Sequence, residues 1–149
     1  MKEAVVSDST CLIGLERVGQ LDLLPGLFSR VVIPPEVQRE FGVSLPWLHI
    51  DGCFDVTLAR ALRMQVDGGE AEAIALARQL RFRLILDDRR ARTVARNLGL
   101  PLIGTVGILL RAKQAQMVSQ IKPIIDELER HEFFIAPELR VEVLRLAGE

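Results

Sequence analysis

Leu84-Ile85-Leu86-Asp87-Asp88 is a short apolar run that stops on two carboxylates, and Val5-Val6-Ser7-Asp8 does the same near the start of the chain. Brief apolar runs of this kind read as strands buried on both faces, the pattern of a parallel sheet covered by helices. In an open α/β sheet the carboxyl ends of parallel strands meet at a crevice where ligands bind, so Asp8 and the Asp87-Asp88 pair are expected to share one site. Carboxylates gathered without cationic partners repel one another and take up protons or a cation. A hard divalent cation held by oxygens is the first chemistry this pattern points to.

Working outward, helical and extended segments alternate. After the strand at Ala4 to Ser7, Leu12, Leu15 and Val18 recur at helical spacing, with Asp8 or Ser9 as cap. A short helix around Leu21-Asp22-Leu23-Leu24 is expected to end at Pro25-Gly26, and Val31-Val32-Ile33 reads as a strand stopped by Pro34-Pro35. Pro35 to Phe41 then forms a short helix with Glu36 and Glu40 on one face. Gly42 to Gly52 reads as a loop carrying a short extended piece, followed by a helix with Leu58 and Leu62. Asp67-Gly68-Gly69 reads as a break before the alanine-rich helix Glu70 to Ala77, in which Glu72 is expected to face solvent. A helix from about Arg89 to Leu98, a strand at Leu102-Ile103 and a helix after Gly104-Thr105 complete the alternation. Two more helices are expected in the C-terminal part, 119–149, one opening at Pro123 and one containing Leu139, Val143 and Leu146, to complete the core or form a dimer contact. One domain, 1–149, with a parallel sheet covered on both faces is the expected architecture.

Composition narrows the function classes. The 149 residues are 49% hydrophobic and 26% charged, as in globular domains. No apolar stretch approaches the roughly 18 residues of a membrane span, and Met1-Lys2-Glu3-Ala4 lacks the order of a secretory signal, so a cytoplasmic home is expected. Cys11 and Cys53 have no zinc or disulfide spacing. The net charge of −1 argues against adhesion to nucleic acid by bulk charge. Between Arg78 and Arg96, however, seven arginines stand against two aspartates, a local +5 beside the acidic pair. Alone, such a stripe reads as a solvated face; beside carboxylates it suits phosphate.

Asp8, Glu40, Glu70 and Asp87-Asp88 each have an ordinary explanation. An aspartate after a strand is commonly a helix cap, Glu70 in a first helical turn is favoured by the helix dipole, and Glu40 has Glu36 as its i,i+4 neighbour. Together they come one per segment at strand ends and loops, where a single crevice collects them. Mg2+ or Mn2+ bound through a few such carboxylates would activate a water and stabilise a phosphodiester under attack, with nearby arginines on phosphate. Other chemistries lack parts: His49 and His131 have no ligand spacing, and Gly104-Thr105-Val106-Gly107 is neither a Walker loop nor a dinucleotide fingerprint. With no Tyr and one Trp, an extended base-stacking platform is not expected.

Val6-Ser7-Asp8-Ser9-Thr10, Ile33-Pro34-Pro35-Glu36-Val37-Gln38-Arg39-Glu40, Gly69-Glu70-Ala71-Glu72-Ala73-Ile74-Ala75-Leu76-Ala77 and Leu86-Asp87-Asp88, in this order, resemble the successive motifs of PIN domains. Asp87 to Arg92, Gly104 to Lys113 and the closing Leu144 to Glu149 are similar to a prokaryotic PIN branch related to VapC toxins. The resemblance implies a three-layer α/β/α fold with a central parallel sheet and a Mg2+- or Mn2+-dependent ribonuclease acting on RNA. By motif position Asp8, Glu40, Glu70 and Asp88 take the four acidic places, with Asp8, Glu70 and Asp88 on the metal. Thr10 matches the hydroxyl residue that follows the first aspartate, and Arg89 and Arg92 are placed on substrate phosphate. Leu86 stands where many relatives carry Ser or Thr, and Asp87 is an alternative ligand; neighbours on a strand point to opposite sides, so the choice between Asp87 and Asp88 stays open. The resemblance also implies a homodimer and a small antitoxin laid across the groove. Two other readings are a non-catalytic PIN-like module that binds RNA or protein, and a phosphatase of the haloacid dehalogenase type. The latter needs a second aspartate where Thr10 stands.

Overall fold

The computed structural model describes residues 2–149. Five strands, β1 (Ala4–Ser7), β2 (Arg30–Ile33), β3 (Leu48–Ile50), β4 (Arg83–Ile85) and β5 (Leu102–Ile103), form one sheet in the order β3-β2-β1-β4-β5, every pairing parallel. Val5, Val6, Val32, Ile33, Leu84 and Ile85 are fully buried, as strands covered on both faces must be. Each such aliphatic side chain contributes roughly 1.5–3 kcal/mol by leaving water.

The helices are α1 (Ser9–Arg17), α2 (Leu23–Leu27), α3 (Pro35–Phe41), α4 (Val56–Leu62), α5 (Gly68–Leu80), α6 (Arg89–Asn97), α7 (Thr105–Gln114), α8 (Lys122–Arg130) and α9 (Pro137–Leu146). They cover the sheet to give the three-layer α/β/α arrangement expected, with α5 against β1 and β4, α2 against β2 and α6 against β5. The outer helices then dock on these: α3 and α4 on α5, α8 on α1, and α9 on α7. Among the described residues no helix is long and apolar enough to cross a membrane.

Three local expectations need correction. Pro25-Gly26 does not end α2, which runs to Leu27, because proline is tolerated in a first turn whose N–H groups lack helical partners. Gly68 and Gly69 are likewise no break but the first turn of α5: Asp67 caps the helix and supplies the hydrogen bond that the glycines cannot. Glu72 is 8% exposed rather than solvent-facing. Its Oε1 accepts the Glu36 N–H at 3.0 Å and its Oε2 meets Arg63 at 3.3 Å. Pro34, the residue before α3, has no side chain able to cap, so Glu72 on α5 satisfies that helix end instead. This ties α3, and with it Glu40, to α5.

Candidate active site

The order of the strands reverses between β1 and β4, which is where an open parallel sheet forms its crevice. Ser7 pairs with Ile85, so both chains leave the sheet at the same level. The Asp8 N–H donates to the Ile85 carbonyl at 3.1 Å, and the Asp87 N–H lies 3.4 Å from Asp8 Oδ2. Two segments 79 residues apart in sequence thus end with their carboxylates side by side.

Asp8 is 3% exposed and caps α1, its Oδ1 accepting the Cys11 N–H at 3.1 Å. Burial and the neighbouring Asp87 charge hold its carboxyl well above the usual carboxylate range. Asp87 is half-buried and is gripped by Thr105, whose N–H reaches Oδ1 at 2.9 Å and whose hydroxyl reaches Oδ2 at 2.6 Å. Burial raises its pKa while the two Thr105 bonds oppose the rise. Asp88 is exposed and caps α6 through the Ala91 N–H at 2.9 Å. Glu70 forms a capping box with Asp67: Asp67 Oδ1 accepts the Glu70 N–H at 2.8 Å and Glu70 Oε1 accepts the Asp67 N–H at 3.2 Å. Burial first, then the Asp67 charge, pushes the Glu70 pKa up to about 7. The cap explanation therefore holds for Asp8 and Asp88, and Glu70 completes a capping box with Asp67.

Glu40 stands apart on α3. It accepts from the Ser9 hydroxyl at 3.1 Å, and its pKa is raised, mainly by burial. Its carboxylate rests against the first turn of α5, where a Cβ at Gly69 would lie 2.1 Å from Glu40 Oε1.

Glu70, Asp67, Asp87 and Asp88 line one cleft of about 950 Å³ together with Thr10 and four arginines: Arg17, Arg89, Arg92 and Arg96. The basic stripe is divided by the fold. Arg89, Arg92 and Arg96 turn to this cleft, whereas Arg83 pairs with Glu3 at 2.7 Å, and Arg78 and Arg81 flank a separate depression beside Asp55. Arg92 also has a structural task, its Nη1 donating to the Leu86 carbonyl at 2.6 Å. Sequence reasoning missed Asp67, Thr105 and Arg17, and placed Arg96 only within the basic stripe. A signal existed for two of them: Arg17 follows Thr10, and Arg96 follows Arg89, by two helical turns on the same face.

Buried Asp8 beside half-buried Asp87, with a third acid, Glu70, whose pKa is pushed up to about 7, makes a donor set that suits a hard cation. Among the described residues no three His, Cys, Asp or Glu side chains form a ready clasp.

The fold is thus a three-layer α/β/α domain with carboxylates at the switch point of its parallel sheet and arginines along the adjoining cleft. The DUF3368 family model, described as a PIN domain, matches residues 4–149, and the chain belongs to that family. PIN domains are generally nucleases acting on nucleic acid and typically use divalent metals. No curated protein matches the chain.

Proposed function

We propose that the protein is a Mg2+- or Mn2+-dependent endoribonuclease, the VapC-like toxin of a toxin-antitoxin pair. The observation that carries this reading is the contact between buried Asp8 and Asp87, the latter lining a cleft together with Glu70, Asp88 and arginines. Asp8, Glu70 and Asp88 would hold the ion, with Asp87 as a further ligand and Glu40 orienting water. When bound, the ion supplies an activated water and charge stabilisation at the phosphodiester. Arg89 meets the phosphate as a planar donor, and Arg92 combines that role with its grip on the Leu86 carbonyl. Thr10 at the head of α1 donates to a phosphate oxygen, aided by the N-terminal end of the helix.

Cleavage of single-stranded RNA by purified protein in magnesium or manganese tests the reading, provided contaminating nucleases are excluded. Asp8→Asn and Glu70→Gln are expected to abolish it, and persisting activity in both would overturn the mechanism. A small protein encoded beside this one and co-purifying with it would support the antitoxin partner, and size measurements on the pure chain test the proposed homodimer. The second reading, a non-catalytic module binding RNA or protein, draws on the lack of a ready three-carboxylate clasp among the described residues. An unchanged melting temperature in millimolar manganese would favour it.

A further inference from the structure

The cleft has a second half that the catalytic reading does not use. Its far wall is the segment His131 to Ala136 between α8 and α9, which carries Phe133 and Phe134. The two rings have opposite fates. Phe133 packs onto α1 at Gly14, where a Cβ would lie 2.9 Å from the ring, and its N–H donates to the Leu128 carbonyl at 3.0 Å. Ile135 on the other side is buried. Glu132, at a φ of 65°, occupies the left-handed position where glycine is usual, and so turns the chain between helix end and wall. Phe134, fixed between two anchored neighbours, is 83% exposed at the cleft that also holds Arg17, Arg89 and Arg96.

We propose that Phe134 is a stacking platform for one unpaired base of single-stranded nucleic acid, with Arg17 and Arg96 on the adjoining phosphates. The inference deepens the nuclease reading and rests on it. An exposed aromatic ring on a backbone anchored at both neighbours, lining the same cleft as guanidinium groups, matches both halves of a nucleotide, the π-face of the base and the charge of the phosphate. Bases of a duplex are already stacked and paired, so an isolated ring of this kind selects single strands. One platform beside the acidic centre orders the strand without reading its sequence, because every base presents a face.

The test is binding of a fluorescein-labelled mixed-sequence RNA 12-mer in EDTA at fixed salt, with KM for its cleavage in manganese as second readout. Phe134→Ala, at an exposed position, is expected to fold as the parent and to raise Kd and KM about 5- to 150-fold. The salt dependence of binding should stay unchanged in Phe134→Ala and become shallower in the Arg17→Gln/Arg96→Gln double variant. Phe134→Trp should keep affinity, with indole fluorescence quenched on binding. In a scan of single abasic sites, one position should weaken the parent and leave Phe134→Ala unaffected. If the parent binds or cleaves RNA and Phe134→Ala does so equally well, the platform is overturned while the nuclease reading stands, and the ring belongs to a protein contact. If the parent neither binds single strands in EDTA nor cuts them in manganese, both fall.

Discussion

Asp87 and Asp88 are neighbours with different surroundings, and substitution separates their roles. Asp87 shares its position with Asp8 and is held by Thr105 through both oxygens, whereas Asp88 spends Oδ2 on the α6 cap. Thr105→Val removes the hydroxyl that supports Asp87 and is expected to cost about 1–3 kcal/mol of stability in urea unfolding. It should also weaken manganese binding, read by calorimetry, because the Asp87 carboxylate loses its orientation. Asp88→Ala is expected to cost about 1 kcal/mol from the lost cap. Loss of ion binding in Asp88→Asn alone, with Asp87→Asn unaffected, would assign the ligand to Asp88. The sequence pattern brings this pair to the site but leaves its two members unsorted, since what distinguishes them is Thr105 on a different strand-to-helix junction. Glu72 was illegible for a similar reason: its partner, the free end of α3, is 36 residues away.

At the scale of elements, α5 owes the site its first turn. Glycine within a helix ordinarily costs about 0.5–1 kcal/mol relative to alanine. At position 69 an added methyl meets the Glu40 carboxylate, the far end of a flexible side chain that can swing away. Gly69→Ala is therefore expected to leave the melting temperature within a few degrees of the parent while breaking the Ser9–Glu40 bond and lowering cleavage as far as Glu40→Gln does. A gain in stability with activity intact would show that Glu40 has no part in the site. Elements with a strong apolar period or a proline at their start, such as β1, α3 and β5, stand in the structure where the sequence places them. The start of α5 does not, because a Gly-Gly pair reads as a break unless the capping box around it is recognised. The base platform was also hidden: with few aromatics in the chain nothing marks Phe134 until the fold brings residues 131–136 against α1.

For the whole molecule, the alternation of strand and helix reveals a parallel sheet, but strand order is a long-range property that local periodicity does not carry. The reversal between β1 and β4 is what converts scattered acids into a cluster, and the cluster has a thermodynamic signature. Glu70, with a folded pKa of about 7 against the ordinary 4.5, is protonated in both states below pH 4.5 and contributes nothing there. As pH rises through that window the unfolded chain ionises first, so folding loses stability until Glu70 ionises above about 7. Asp8 and Asp87 are raised as well and act in the same direction. The ion-free protein is thus expected to melt at a lower temperature at pH 8 than at pH 5. Manganese should restore stability more at pH 8 than at pH 5. At 100 times its Kd a ligand contributes about 2.7 kcal/mol, or about 5–10 °C for a domain of this size. Asp8→Asn should flatten both responses.

The most direct test of a shared acidic cation site is hydrolysis of a labelled single-stranded RNA by the parent protein and by Asp8→Asn, each in EDTA and in manganese. The expected result is cleavage by the parent in manganese only, with a loss on the order of 10³-fold in Asp8→Asn. Equal cleavage by parent and variant, or cleavage by the parent undiminished in EDTA, would contradict it.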